Sequence, residues 1–558
     1  MILLRKTPCA LLVALFLLTA CASDGGTTSA KYDFSDNLAT WEREGAPGLA
    51  LAVMIEGKVV YAGATGLADV GHDVTITPTT VFHGASLTKQ VTALAIAELA
   101  SEGKIDIEED IRTYLPELAY RGPEITVQHL LDHMSGLREA SSLSAMAGWR
   151  RGDVFSEDQR QRLLENQVSL NFAPGARVEY SNSGYALLGE IIERTTGVSY
   201  REHLQGAYFD PLGMTQTIMR TDLSEIIPHR AMSYQPTGDG FLRDDLRYEL
   251  VASTGIQTTV LDLLIWARAL NEQTVGSVDA WRIFEERTFA LSGDAATLGR
   301  GQEKRSYRSL ETWSHGGTDA GYRSFLIRVP GRNFAVAVMS NRFDVDTAKL
   351  AYGIIDDIFF GSPREPAEFQ PASSADLQAY AGDYELFPGV IFSITTDGKA
   401  LYFAPYGSTE GAPIPQIGPR RFLVGGTTDL SIAFDRPVGG KSPGFAWTLG
   451  LHGSIPGMRL NIEPVDPDAI DTSAYLGRYY SEELDVFFDV STEDGALVLR
   501  HPRVGSSSLL PFTEDVFFGD GPVQEVRFVR GPASRVSGAL FSNSLADDVW
   551  FQLQPSAR

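Results

Sequence analysis

Three patterns along these 558 residues predict a multi-domain α+β chain, in which an antiparallel sheet with a helical insertion is followed by two small antiparallel β-barrels. Residues 33–365 carry a β-rich hairpin at each end and helical segments between them. Beyond residue 372 the chain repeats itself at an offset of 94 or 95 residues. A short apolar leader precedes both. The composition, 43% hydrophobic and 21% charged, is that of globular material.

Arg5 and Lys6 precede an apolar run from Ala10 to Leu17 that ends in Leu18-Thr19-Ala20-Cys21. The run is too short for a permanent bilayer-spanning helix and has the flanks of a secretory signal, so residues 1–20 are expected to be removed. Its ending resembles the lipobox of bacterial lipoproteins, which implies acylation of Cys21 as the first mature residue. Ala22 at the next position fits retention at the periplasmic face of the outer membrane. Residues 21–32, rich in Ser, Thr and Gly, read as a tether. Cys9 and Cys21 are the two cysteines of the sequence, so a mature exported chain has no disulfide partner and depends on its cores. Loss of the leader takes away two bases and no acid, moving the formal charge from −24 to −26. Such a surface repels nucleic acid and anionic headgroups, leaving the acyl chain as the expected membrane partner. The sequence does not set an oligomeric state.

In the 33–365 region, Leu49–Ile55 and Val59–Ala62 flank Glu56-Gly57-Lys58 and read as a hairpin. Phe325–Val329 and Phe334–Met339, around Pro330-Gly331-Arg332-Asn333, read as a second. Gly184–Thr196 and Thr259–Leu270 read as helices between them. A single sheet built from both ends accounts for this order. Gly361–Ser374 reads as a linker to the repeat units, 372–465 and 466–558. Tyr380-Ala-Gly-Asp-Tyr384 recurs as Tyr475-Leu-Gly-Arg-Tyr479, and Phe422, Phe434 and Gly444 recur as Phe517, Phe528 and Gly538.

Ser86 and Lys89 open a segment, Ala85–Ser101, that is apolar on nearly every side and therefore belongs to a buried helix. Three residues apart, the two share a face, where helix-end amides favour negative charge at the serine and burial disfavours a charged lysine. Tyr180-Ser181-Asn182 follows the turn at Pro174-Gly175 and places Tyr180 on a loop. A phenol near a cationic lysine is expected to be drawn toward phenolate and to relay protons, while Asn182 offers both a donor and an acceptor. His315-Gly316-Gly317 enters a strand, where the glycines permit close approach of a substrate. The Thr318 and Ser86 amides there are candidates for an oxyanion hole. Each motif alone has an ordinary structural explanation. His129 and His133, four residues apart, are read as packing and not as metal ligands.

Together these motifs resemble the serine β-lactamase and penicillin-binding-protein superfamily, in its class C-like and esterase-like branch. His129 to Leu137, Phe172 to Gly175, Pro211 to Met214 and His315 to Ser324 fit the same resemblance. It implies a β-lactamase/transpeptidase-like catalytic domain and an acyl-enzyme intermediate without metal or cofactor. It further implies Ser86 as nucleophile, Lys89 and Tyr180 as proton-transfer groups, and Asn182, His315, Gly317 and Thr318 at the substrate. Penicillin-hydrolysing members carry a lysine at the position of His315. An imidazole of ordinary pKa, about 6.5, is mostly neutral at pH 7 and anchors a carboxylate poorly. The paired barrels resemble those of D-aminopeptidases. The resulting expectation is an exported serine hydrolase acting on a small ester or on a D-amino-acid amide or peptide. A class C-like β-lactamase or DD-carboxypeptidase, and a catalytically weak envelope binding protein, are the alternatives. The segments 138–170 and 220–255 are expected to line the pocket.

Overall fold

The computed structural model describes residues 32–555 apart from 151, 249, 287–297, 364–368, 407, 409, 425–429, 450–453 and 462–469. The leader, Cys21 and the tether as far as residue 31 lie outside the described residues, as does the middle of the predicted linker.

Both ends of the first region meet in one antiparallel sheet. Its strands are β1 (Leu49–Ile55), β2 (Lys58–Thr65), β3 (Leu298–Gly299), β4 (Gln302–Tyr307), β5 (Leu310–Asp319), β6 (Tyr322–Val329) and β7 (Phe334–Ser340). Among the described residues they lie in the order β3-β4-β5-β6-β7-β1-β2. The two predicted hairpins are β1–β2 and β6–β7, and they join where Leu49 of β1 pairs with Ser340 of β7. Glu56 and Gly57, both with positive φ, form the two-residue turn between β1 and β2, a geometry that suits the twist of the flanking strands.

Alternation along the central strands explains why they read as unbroken apolar runs. Ala50, Ala52, Met54, Ala335, Ala337 and Met339 face one core, while Leu49, Leu51, Val53, Val336 and Val338 face the other. The second core is closed by α4 (Thr347–Phe359) through Ala351, Ile354 and Ile355. The first holds the helical insertion, including α1 (Thr88–Ser101), α2 (Asn182–Thr196) and α3 (Val260–Glu272). Alanines on that face of the sheet let α3 lie close to β1 and β7. In α1, Val91, Leu94, Ala95, Ile96 and Ala97 are all buried, as a helix apolar on all sides requires.

The repeat is two copies of one barrel plan. Tyr384 donates its hydroxyl to the Tyr380 carbonyl at 2.7 Å, and Tyr479 donates to the Tyr475 carbonyl at 2.7 Å. Tyr380 stacks on Phe434 at 4.6 Å and Tyr475 on Phe528 at 4.4 Å. Gly477–Leu553 spans a closed barrel of eight strands. In the first copy, the nine-stranded sheet ends in Ala412–Ile414 and Gln416–Gly418. These end strands are separated in the chain by Pro415 alone, which curls the sheet nearly closed.

The second barrel is fastened to the helical insertion. Its last hairpin, β8 (Val536–Asn543) and β9 (Ala546–Leu553), contributes the Leu545 carbonyl, which accepts from the Glu139 amide at 2.9 Å. Arg138, fully buried, donates to Glu483 at 2.9 and 3.2 Å and to the carbonyls of Asp547 and Asp548 at 2.6 to 3.0 Å. The barrel's Phe488, Phe541 and Phe551 belong to the same core as α1, whereas the first barrel has its own.

Candidate active site

The Ser86 turn is set by a strained residue. Ala85 has φ of 49°, a conformation that costs a non-glycine residue roughly 1–2 kcal/mol. A 3-10 turn over Ala85–Leu87 then runs straight into α1, so Ser86 lies in that turn and Lys89 in the first turn of the α-helix, whereas the sequence pattern predicts both in the first turn of one helix. Ser86 is 4% exposed and Lys89 fully buried.

Lys89 Nζ has three neighbours within hydrogen-bond distance: Ser86 Oγ at 3.2 Å, Asn182 Oδ1 at 2.8 Å and the Ser253 carbonyl at 3.0 Å. Burial lowers its pKa to about 7, against the opposing charges of Glu139 and Asp319. A neutral amine has two hydrogens and one lone pair. Donating the hydrogens to Asn182 and Ser253, whose oxygens can only accept, leaves the lone pair for the Ser86 hydroxyl proton. The site therefore holds a base poised near neutrality on the hydroxyl it would deprotonate.

Tyr180 corrects an expectation. Burial dominates and pushes its phenol above the ordinary value, assisted by the charge of Glu139 and opposed by a hydrogen bond with Ser86. The hydroxyl is enclosed, so the group stays protonated where phenolate character was expected. Lys89, with its own charge suppressed, lies 4.8 Å from the ring centroid. Ser86 thus has as neighbours an amine whose pKa is lowered, Lys89, and a phenol whose pKa is raised, Tyr180. Ser181 caps α2 through its bond from the Gly184 amide, so the helix begins at Asn182, two residues earlier than its apolar pattern indicates.

The third motif lies on β5. Pairing between β4 and β5 ends at Ser314, so the other edge of β5 is unpaired from His315 onward among the described residues and runs beside the Ser86 turn. Thr318 is exposed there, with its amide on the strand where an oxyanion donor is expected. The approach that Gly317 permits is that of the Ser86 turn: a Cβ at this position would lie 2.3 Å from the Gly84 carbonyl and 2.2 Å from Ser324 Oγ. His315 is 5% exposed and its ring lies 6.2 Å from that of Tyr180.

Several residues that complete the site carry no motif. Asp319 Oδ1 accepts from Tyr248 at 2.6 Å, and Oδ2 lies 2.9 Å from His83 Nε2. Gln257 Nε2 donates to His83 Nδ1 at 2.7 Å, which leaves the His83 proton on Nε2 for Asp319. Burial pushes the His83 pKa down, consistent with a neutral ring. This network ties β5 to the strand leading into Ser86. His133 stacks on Tyr180 at 4.7 Å and accepts from the Ser181 amide at 3.0 Å, while His129 accepts from the Thr126 amide. Both histidines are thus engaged in the protein's own hydrogen bonds, as a packing role predicts. Glu139 accepts from Ser181 Oγ and the Ser183 amide. Of the two segments expected at the pocket, 220–255 lines a hollow beside His83 with Arg220, Leu246, Tyr248 and Leu250. The other, 138–170, supplies the seat of the second barrel through Arg138 and Asp153.

The Beta-lactamase family model matches residues 37–357, more than half of the chain. The chain belongs to the Beta-lactamase family. Its curated relatives include D-aminopeptidase of Gluconobacter oxydans (strain 621H), 26% identical over 57% of this chain and 60% of that protein. A D-aminopeptidase of Brucella anthropi is 24% identical over 81% of this chain and 82% of its own length. Penicillin-binding protein 4* of Bacillus subtilis (strain 168) is 28% identical over 66% and 86%. The chain thus spans about three-fifths of the first of these relatives. Among solved structures, the octameric penicillin-binding protein homologue from Pyrococcus abyssi aligns with a TM-score of 0.53 at 21% identity, covering 85% of this chain and 97% of that one. The fold is accordingly that of the Beta-lactamase family with C-terminal barrels, and the superfamily is one of serine hydrolases.

Proposed function

We propose that the protein is a serine amidase or peptidase that releases D-amino acids from amides or short peptides through an acyl-enzyme on Ser86. The observation that carries this reading is the hydrogen count at Lys89, which leaves one lone pair directed at Ser86 Oγ. In acylation, Lys89 takes the Oγ proton as Oγ bonds to the substrate carbonyl carbon, and the carbonyl π electrons move to its oxygen. Main-chain N–H groups of Ser86 and Thr318 stabilise that oxygen. On collapse the C–N bond breaks and the amine leaves with a proton delivered through Tyr180, which is re-protonated from Lys89. Water then attacks the acyl carbon, giving one proton to Lys89; the acyl C–Oγ bond breaks, Oγ takes that proton from Lys89, and the D-amino acid leaves.

The D-aminopeptidase relatives support the substrate class, as does the field of the site. Glu139 and Asp319 both act on Lys89 with negative charge, which suits a substrate bearing a free ammonium over one bearing a free carboxylate. The leader and Cys21 support export as a lipoprotein, with the outer membrane's periplasmic face as the proposed location. The test compares D-alanyl and L-alanyl p-nitroanilide, p-nitrophenyl butyrate and nitrocefin. Preference for the D-anilide supports the reading. Exclusive turnover of the butyrate makes the protein an esterase, and exclusive turnover of nitrocefin a β-lactamase.

A further inference from the structure

We infer that Tyr248, backed by Asp319, receives the ammonium group of the substrate and so selects for chains with a free amino terminus. The inference rests on the proposed release of D-amino acids and names the groups that recognise them. Tyr248 donates its hydroxyl to Asp319 Oδ1 at 2.6 Å, and Asp319 Oδ2 takes the His83 Nε2 proton at 2.9 Å. A phenol has one hydrogen and an oxygen that can also accept. With that hydrogen committed to a carboxylate, the Tyr248 oxygen is left only as an acceptor, and the negative charge behind it makes it a stronger one. It can receive an N–H, and it repels a carboxylate.

The charge of Asp319 lacks a cation of its own. The residue is 5% exposed, and its two bonds come from a phenol and from an imidazole whose protonation burial opposes. Among the described residues no Lys or Arg forms an ion pair with it, while Lys89 and Arg323 feel its charge from farther away. A carboxylate held in this way bears a desolvation cost that a ligand ammonium would offset.

The surroundings put this phenol at the reacting end of the cleft. Asp319 directly follows Thr318, whose amide is the proposed oxyanion donor, and His83 lies on the strand that leads into the Ser86 turn. The helical turn Val251–Thr254, which begins shortly after Tyr248, brings the Ser253 carbonyl to Lys89 at 3.0 Å. In an amino-acid amide the ammonium sits on the carbon next to the carbonyl that Ser86 attacks, which sets it beside the oxyanion donors. Tyr248 is 37% exposed against 4% for Ser86, so its ring is the accessible edge of this cluster. Its main chain is fixed by a bridge to Phe155, whose amide donates to the Arg247 carbonyl at 2.7 Å.

The experiment compares D-alanyl p-nitroanilide with propionyl p-nitroanilide, the same acyl group without its ammonium, for the full chain, Tyr248→Phe and Asp319→Asn, with thermal melting of each. The readout is the ratio of kcat/KM for the two anilides at one pH. Where propionyl turnover is too slow to follow, its Ki against the D-anilide is set beside the KM of the D-anilide instead. The full chain should favour the D-alanyl anilide, and Tyr248→Phe should reduce that preference roughly 10- to 100-fold, chiefly by raising KM for the D-anilide. Asp319→Asn keeps an acceptor for Tyr248 without the charge and should reduce the preference as well. Asp319 also favours protonated Lys89, so its variant shifts the acid limb for both anilides alike, and the ratio cancels that shift. Should Asp319→Asn not fold, Tyr248→Phe, isosteric at a partly exposed position, decides alone. A preference unmoved in either folded variant, including equal losses on both anilides, overturns the inference and leaves the D-amino-acid reading in place. A full chain that prefers the propionyl anilide, or turns over neither, overturns that reading and the inference together.

Discussion

At the scale of single residues, the site concentrates its cost in Lys89. Its pKa is about 7 in the fold, against about 10.4 for a free lysine. Between those values the unfolded chain binds the proton and the folded chain does not, so stability falls as pH drops from about 10 to 7 and stays low below that. Lys89→Met should therefore abolish turnover and raise stability at pH 6 by a few kcal/mol, less the lost hydrogen bonds, as read by urea unfolding. The motif residues were legible in the sequence because Ser86, Lys89, Tyr180 and Asn182 are fixed by local spacing at helix starts. Their protonation states were not, because burial decides them. Tyr180 shows this, being pushed up by desolvation where its cationic neighbour alone would have pulled it down. Glu139 and Asp319 escaped for another reason: an acid in a loop or at a strand end gives no signal until its partners, 42 and 236 positions away, are brought to it.

At the scale of elements, the separation between β5 and the Ser86 turn is the dimension that matters. It is held by Gly317 against Gly84, by Ser324 Oγ donating to the Gly84 carbonyl at 2.7 Å, and by the Asp319–His83 contact. Gly317→Ala must displace one side or the other. It should cost about 1–3 kcal/mol of stability and on the order of 100-fold in kcat, measured by thermal melting and anilide turnover. The hairpins at each end of the sheet were readable because β-rich apolar runs flank short turns. The start of α2 was placed late because its capping residue, Ser181, lies outside the apolar periodicity that marks the helix body.

At the scale of the molecule, the repeat was legible and its docking was not. Recurrent Tyr, Phe and Gly at a fixed offset report on each barrel's interior, whereas the seat on the catalytic region is made by single residues and main-chain carbonyls. Arg138 and Glu483, 345 positions apart, are ordinary in sequence. One interface group titrates in a useful range: burial, then the nearby Glu179, pushes Asp547 up to about 7. A carboxyl raised in the fold stabilises it in the protonated form, so this contribution is present below about pH 4 and is lost as pH rises through about 7. Asp547→Asn should accordingly raise the melting temperature at pH 7.5 and leave it nearly unchanged at pH 4, in paired thermal scans. Turnover at this site depends on Ser86 being an activated nucleophile. Intact-protein mass spectrometry of residues 22–558 after brief exposure to a fluorophosphonate, at pH 6 and pH 8, reads that activation. A single adduct that forms faster at pH 8 and is absent in Ser86→Ala is the predicted result; no adduct, or equal labelling of Ser86→Ala, would contradict it.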